Sequence, residues 1–346
     1  MSTPSASTPG PRPAVNRQVV LATRPIGKPK ESDFNIIDSP IPKLKDGEVL
    51  VHALYLSVDP YMRGRISGAK SYAKPVGIGE AMVGGGVAKV IESKNPGFAV
   101  GDIVDIYMGW QQYAISDGRG LRKLDPSIAP VSTALGVLGM PGMTAYFGLL
   151  DVCEPKAGET VVVSGAAGAV GTIVGQIAKI KGCRTVGVAG GDDKIDYIVK
   201  ECGYDAAFNY KTTSDYAAKY RELCPNGIDI YFDNVGGPIS DAVFGLLNLH
   251  ARIAICGQIS QYNNTQVEMG PRLLGSLIVA RAKVQGLLVS DYAPRYGPAM
   301  AEMAHWVREG KIKYREDVVL GFENLPKAFI GLLAGENIGK RIVKVN

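Results

Sequence analysis

Thr160-Val161-Val162-Val163-Ser164-Gly165-Ala166-Ala167-Gly168-Ala169-Val170-Gly171 is the stretch on which the reading of this chain turns. Its first four residues form a continuous run of strand formers, as a strand covered on both faces of a parallel sheet requires. Beyond the glycines, Val170, Ile173, Val174, Ile177 and Ile180 recur at helical spacing and predict an amphipathic helix. Strand, glycine turn and helix together form the context in which such a motif predicts a dinucleotide site. Glycine lets the backbone turn tightly and approach a diphosphate. The helix N-terminus then offers it unpaired N–H groups and the positive end of a dipole. The spacing is G-x-x-G-x-x-G, a variant of the usual G-x-G-x-x-G; a turn that binds nothing is the bland alternative.

Strand–helix alternation continues outward. A strand is expected over 184–189, then a helix over 192–202 with Ile195, Ile198, Val199 and Cys202 inward. A strand over 228–232, a helix over 238–249 opened by Pro238, and strands over 252–256 and 284–289 follow. This order predicts right-handed βαβ units and an α/β fold with a doubly wound parallel sheet. Residues 18–140 differ: short apolar runs are broken by Gly and Pro, with turns at Lys45-Asp46-Gly47 and Asn95-Pro96-Gly97. They predict a compact antiparallel, barrel-like domain. Residues 311–346, with a helix over 325–333 closed by Gly335 and a strand over 341–345, are expected to fold back onto it. The expected organisation is therefore a tail over 1–17, a substrate domain from 18–140 plus 311–346, and a cofactor domain over 141–310.

The chain has 346 residues, 46% of them hydrophobic. That suffices for two cores, since single cores rarely exceed roughly 250–300 residues. Its 38 Lys+Arg against 33 Asp+Glu leave a net charge of +5. The cations are dispersed, so a small anionic ligand fits better than a nucleic acid. No apolar run of about 18 residues predicts a membrane span. The 5 Cys include no C-x-x-C pair, and the 3 His are scattered, so no metal site is expected. An odd number of thiols and a Ser/Thr/Pro-rich start without an apolar signal core point to a reducing, cytoplasmic compartment.

The residues after the second strand choose the cofactor. An NAD site ends that strand with Asp or Glu for the ribose 2′-OH. Here it ends Val188-Ala189-Gly190-Gly191, with Lys194 just inside the next helix. A missing acid and a nearby cation fit the 2′-phosphate of NADP. Asp192 and Asp193 are expected to cap the helix and point away.

Several strings then carry a resemblance. Leu56-Ser57-Val58-Asp59-Pro60-Tyr61-Met62-Arg63-Gly64-Arg65, Gly139-Met140-Pro141-Gly142-Met143-Thr144-Ala145-Tyr146, Phe208-Asn209-Tyr210-Lys211, Asp233-Asn234-Val235-Gly236-Gly237, Cys256-Gly257-Gln258-Ile259-Ser260-Gln261-Tyr262-Asn263 and Gly335-Glu336-Asn337-Ile338-Gly339-Lys340 are the principal ones. From about Asn16 onward the chain resembles the zinc-independent medium-chain dehydrogenase/reductase group that holds 2-alkenal reductases, plant double-bond reductases, prostaglandin reductases and bacterial curcumin reductase.

The resemblance implies a Rossmann sheet beside a GroES-like barrel-type domain, and NADPH-dependent reduction of the C=C bond of α,β-unsaturated aldehydes and ketones. It also implies that Gly168, Ala169, Val170 and Gly171 hold the diphosphate, while Gly190, Lys194 and Tyr210 meet the 2′-phosphate region. Asn234, Cys256, Tyr262 and the backbone of Leu287, Leu288 and Val289 would line the nicotinamide half, Asn337 would close over it, and Tyr61 would face the substrate. Quinone reduction, secondary-alcohol oxidation or mere NADPH binding on the same scaffold are the rivals.

Hydride addition to an enone places charge on the carbonyl oxygen, so a donor there matters more than a nucleophile. Tyr262 lies just past the strand ending at Cys256, where ligands bind in such sheets. Its hydroxyl, with the ribose 2′-OH, is the expected stabiliser of the enolate before the α-carbon takes its proton. Tyr72, Met62, Met140 and Met143 are weighed beside Tyr61 as a substrate wall, and only Tyr61 is retained. Cys256 reads as a small neighbour of the cofactor, not a reactive thiol. The apolar run 279–289 is expected to pair with its copy in a homodimer.

Overall fold

Strand Thr160–Ser164 is fully buried inside a six-stranded parallel sheet. Burying each of its valines contributes about 1.5–3 kcal/mol. The computed structural model describes residues 12–345. The sheet runs Ala206–Asn209, Arg184–Ala189, Thr160–Ser164, Ile228–Asp233, Leu247–Ile255, Lys283–Gly286. Strand order reverses between Thr160–Ser164 and Ile228–Asp233, which opens a crevice at their C-terminal ends. Helix Gly171–Ile180 lays Ile173, Val174 and Ile177 into the core.

A second sheet has the order Glu316–Leu320, Lys340–Lys344, Val49–Ser57, Gly85–Ser93, Ile103–Tyr107, Arg122–Lys123, with Tyr113–Ser116 also on Val49–Ser57. It is antiparallel except between Glu316–Leu320 and Lys340–Lys344. Its core joins Val49, Leu56 and Trp110 to Phe322, Phe329 and Val343, from opposite ends of the chain. Met62 and Met143 are fully buried. Both are packing residues.

Several expectations need correction. Strand Val15–Leu21 pairs with Phe34–Pro40, so order begins inside the segment predicted as a tail. The rest of that prediction, on residues 1–11, lies outside the described residues. The helix expected over 238–249 is a single turn, Pro238–Asp241, and the next strand starts at Leu247. A short 3-10 turn, Phe244–Leu246, lies between them. His250, at φ 63°, then bulges the strand, which hides its alternation. Strand Ala206–Asn209 was not anticipated; it is too short for a periodic signal. The last strand is only Lys283–Gly286, and a 3-10 helix takes over at Val289.

Candidate active site

The glycine turn is built as its residues require. Gly165 has φ 60°, and a Cβ on Gly171 would sit 2.4 Å from the Gly165 carbonyl oxygen. Only glycine allows the helix to start this close to the strand. The N–H groups of Ala169, Val170 and Gly171 form no hydrogen bond among the described residues. These donors at a helix start are the backbone a diphosphate needs. Residues and group therefore fit.

Strand Arg184–Ala189 ends in Gly190, and the Tyr210 ring covers it: a Cβ there would lie 2.7 Å from the ring. Lys194 donates to the Gly335 carbonyl at 2.5 Å. Burial lowers its pKa; the neighbouring Asp193 charge opposes that shift and Lys211 adds to it. Asp192 and Asp193 do not cap the helix as expected. Gly191 is the N-cap, no side chain bonds to it, and Asp192 instead accepts from Asn209 at 2.9 Å. The Asp193 carboxylate packs against Gly191 beside Lys194, so it does not point away as expected, and Lys194 with Lys211 supplies the positive charge an anionic 2′-phosphate would need there.

At the switch point, the Asn234 side chain donates to the Ser164 carbonyl at 2.7 Å. This ties together the two strand ends that bound the crevice. Beneath it lies Asp233, which is 2% exposed. One oxygen accepts from Ser164, Tyr231, Val235 and Gly236, the other from Ser240 and Gln258. The sequence reading missed this hub. Its signal was an acid closing the buried run Ile230-Tyr231-Phe232, where an unpaired charge would be costly.

The hub laces down the 257–264 loop. Gly257 N–H donates to Asp233 O at 3.1 Å, and Ser260 Oγ to Val235 O at 2.7 Å. Tyr262 thereby comes back over the strand end, and its hydroxyl accepts the Gln258 N–H at 3.2 Å. Burial raises its pKa above the ordinary 10.0, so its proton remains available to donate. Burial pushes the Cys256 thiol up to about 12, which makes it an inert neighbour. Leu287 packs on Gly148 and donates its N–H to Ile255 O at 3.0 Å, and the Val289 carbonyl accepts from Tyr296. Leu288 lies between them.

Tyr61 comes from the other sheet, at the start of the short helix Met62–Arg65. Burial, then the Asp59 charge and the Tyr107 hydroxyl, hold its pKa far above 10. Tyr72 neighbours Tyr262, Tyr107 and Tyr61. Four tyrosines thus converge; Tyr107 carried no motif and was missed. Met140 is 38% exposed. Arg63, 5% exposed, bridges the halves, donating to Asn263 Oδ1 at 2.9 Å and to Gly27 O.

The segment 335–339 lies over the glycine turn. Gly339 N–H donates to Ala167 O at 2.8 Å, and the buried Asn337 donates to Gly339 O at 2.8 Å. Among the described residues, no group of three or more His, Cys, Asp or Glu could hold a metal ion, and no helix is long and apolar enough to cross a membrane.

Two family profiles match: "N-terminal domain of oxidoreductase" over residues 17–124 and "Zinc-binding dehydrogenase" over 169–306. The NADPH-dependent curcumin reductase of Escherichia coli is 48% identical, over 95% of this chain and 97% of its own. The 2-alkenal reductase (NADP(+)-dependent) of Nicotiana tabacum is 46% identical, over 96% and 98%. The crystal structure of CurA in complex with NADPH from Vibrio vulnificus is 51% identical with a TM-score of 0.92, over 95% of this chain and 99% of that one.

Proposed function

The chain belongs to the prostaglandin, curcumin and 2-alkenal reductase group of the medium-chain dehydrogenase/reductase superfamily, and on that premise we propose how its residues reduce a conjugated double bond. It is an NADPH-dependent reductase of the C=C bond of enals and enones. When bound, NADPH supplies the hydride that adds to the β-carbon. The free N–H groups of Ala169, Val170 and Gly171 hold the diphosphate, and Lys194 with Tyr210 and Gly190 holds the 2′-phosphate. Asn234, Cys256, the backbone of Leu287, Leu288 and Val289, and Asn337 enclose the nicotinamide half. Tyr61 lies along the enone. The neutral Tyr262 hydroxyl donates to the carbonyl oxygen as negative charge gathers there, and the enolate then takes a proton at its α-carbon.

The observation that carries this reading is that free backbone donors at the glycine turn and the Tyr262 hydroxyl, held at the Gln258 N–H, stand at the same C-terminal end of the parallel sheet. An NADPH-oxidation assay over an enal, an enone, a dienone and a simple quinone, repeated with NADH, tests it. Turnover of the conjugated carbonyls with NADPH is expected. Oxidation by the quinone alone would replace this reading with quinone reduction.

A second copy of the chain is the proposed partner. Strand Lys283–Gly286 ends the six-stranded sheet, so one edge is open. Beside it, helix Leu274–Ala280 exposes Leu274, Ile278 and Val279 by 76–82%. An open edge beside an exposed apolar face supports a two-fold pairing. Ile278→Asp is expected to yield monomers by light scattering, and a wild-type chain that is itself monomeric would refute the pairing. All five cysteines are unpaired, which supports a reducing, cytoplasmic setting.

A further inference from the structure

Lys340 is an oddity of the fold: a lysine only 4% exposed. Its ammonium donates to Asp59 Oδ1 at 2.8 Å and to the Val58 carbonyl at 2.8 Å. Both partners of the ion pair are about 95% buried, and the other Asp59 oxygen accepts from Ser57. An ion pair inside a protein is weak evidence for stability, because desolvation consumes most of the attraction. Glu316 is the other acid near Lys340, but burial raises its pKa and one of its oxygens has no partner. Asp59 is thus the counter-ion that binds.

The pair joins two pieces of the site. On one side, Asp59 O and Pro60 O accept the N–H groups of Met62 and Arg63, starting the helix that Tyr61 precedes. Arg63 in turn reaches Asn263, the neighbour of Tyr262. On the other side, the residue before Lys340 is Gly339, hydrogen-bonded to Ala167 in the glycine turn. Gly339 has φ 71°, and a Cβ there would lie 2.2 Å from Arg315 O, so this backbone path admits no other residue. Asn337 and the carbonyl of Gly335, held by Lys194, continue the same segment over the turn.

We propose that Lys340 is a positioning residue: through Asp59 it makes the covering of bound NADPH by 335–339 and the placement of Tyr61 against the enone one coupled event. The proposal rests on the function argued above. The cofactor cover and the substrate wall then share a strut, and ordering one orders the other.

Amide hydrogen exchange on the full chain tests it without turnover. In the wild type, NADPH is expected to slow exchange at 165–171, at 335–341 and also at 58–66. In Lys340→Met the slowing at 165–171 persists, while that at 58–66 is lost. In the same variant the NADPH Kd and the enone KM rise together by about tenfold, the scale of a typical coupling. Where an unpaired Asp59 prevents folding, the neutral pair Asp59→Asn with Lys340→Met serves instead, with the same expectation. Persistent NADPH protection at 58–66 in the variant, its absence in the wild type, or a rise in only one of the two constants overturns the strut. A wild type that binds NADPH but reduces no enone refutes the function reading instead, and the exchange result still judges the strut.

Discussion

The glycine turn and the tyrosine cluster that includes Tyr262 both belong to the C-terminal end of the parallel sheet, yet they are made in opposite ways. The turn is a local object: strand Thr160–Ser164, Gly165, Gly168 and Gly171 follow one another, and backbone N–H groups are its donors. The cluster is assembled from Tyr61, Tyr72, Tyr107 and Tyr262, carried by separate loops and strand ends and working through side chains. A backbone site tolerates almost no change at its glycines. A site of several side chains shares its work and should degrade gradually.

Substitutions can break that contrast. The largest effect is expected from Gly171→Val, whose Cβ would meet backbone 2.4 Å away. NADPH binding by fluorescence titration should fall by more than about a hundredfold, with a lowered Tm. An unchanged Kd would show that the turn is not the diphosphate site. Next is Lys194→Ala, expected to weaken NADPH by about tenfold while leaving NADH almost unaffected, since one charge-assisted hydrogen bond contributes about 1.5–3 kcal/mol. Equal losses for both cofactors would deny Lys194 its role at the 2′-phosphate.

Tyr262→Phe should lower kcat by about five- to tenfold, the value of one neutral hydrogen bond. Because burial raises the Tyr262 pKa, its hydroxyl stays protonated below its ordinary 10.0. The wild-type kcat should therefore stay flat from about pH 6 to about pH 9. A fall through that window would assign the proton to another group. The smallest effect is expected from Tyr107→Ala, about two- to threefold in KM, because this tyrosine is 62% exposed at the rim. A hundredfold loss there would mean that the cluster, like the turn, depends on single residues.

The same contrast explains what the sequence revealed. Hydrophobic period and glycine spacing are local signals, so the strand–turn–helix unit and the doubly wound class were legible from one short stretch. The absence of an acid at Gly190-Gly191 was equally local. Asp233 was not legible, because its meaning lies in hydrogen bonds from Ser164 and Gln258, far apart in sequence. Tyr107 closes an ordinary strand, and only folding sets it beside Tyr61. The bulge at His250 concealed the true start of its strand, since an extra residue destroys the period of two. Tyr61 and Tyr262 themselves stood out through the strings around them rather than through any period.

The pairing of Lys340–Lys344 with Val49–Ser57 has a consequence for how a growing chain matures on the ribosome. Ile342 must find Ser57 across almost the whole polypeptide. The intervening parallel sheet, made of nearer neighbours, can consolidate while synthesis continues. The earlier-made sheet must meanwhile wait with the Tyr55–Ser57 end of that strand uncovered, the kind of exposed rim on which nascent proteins stick to one another.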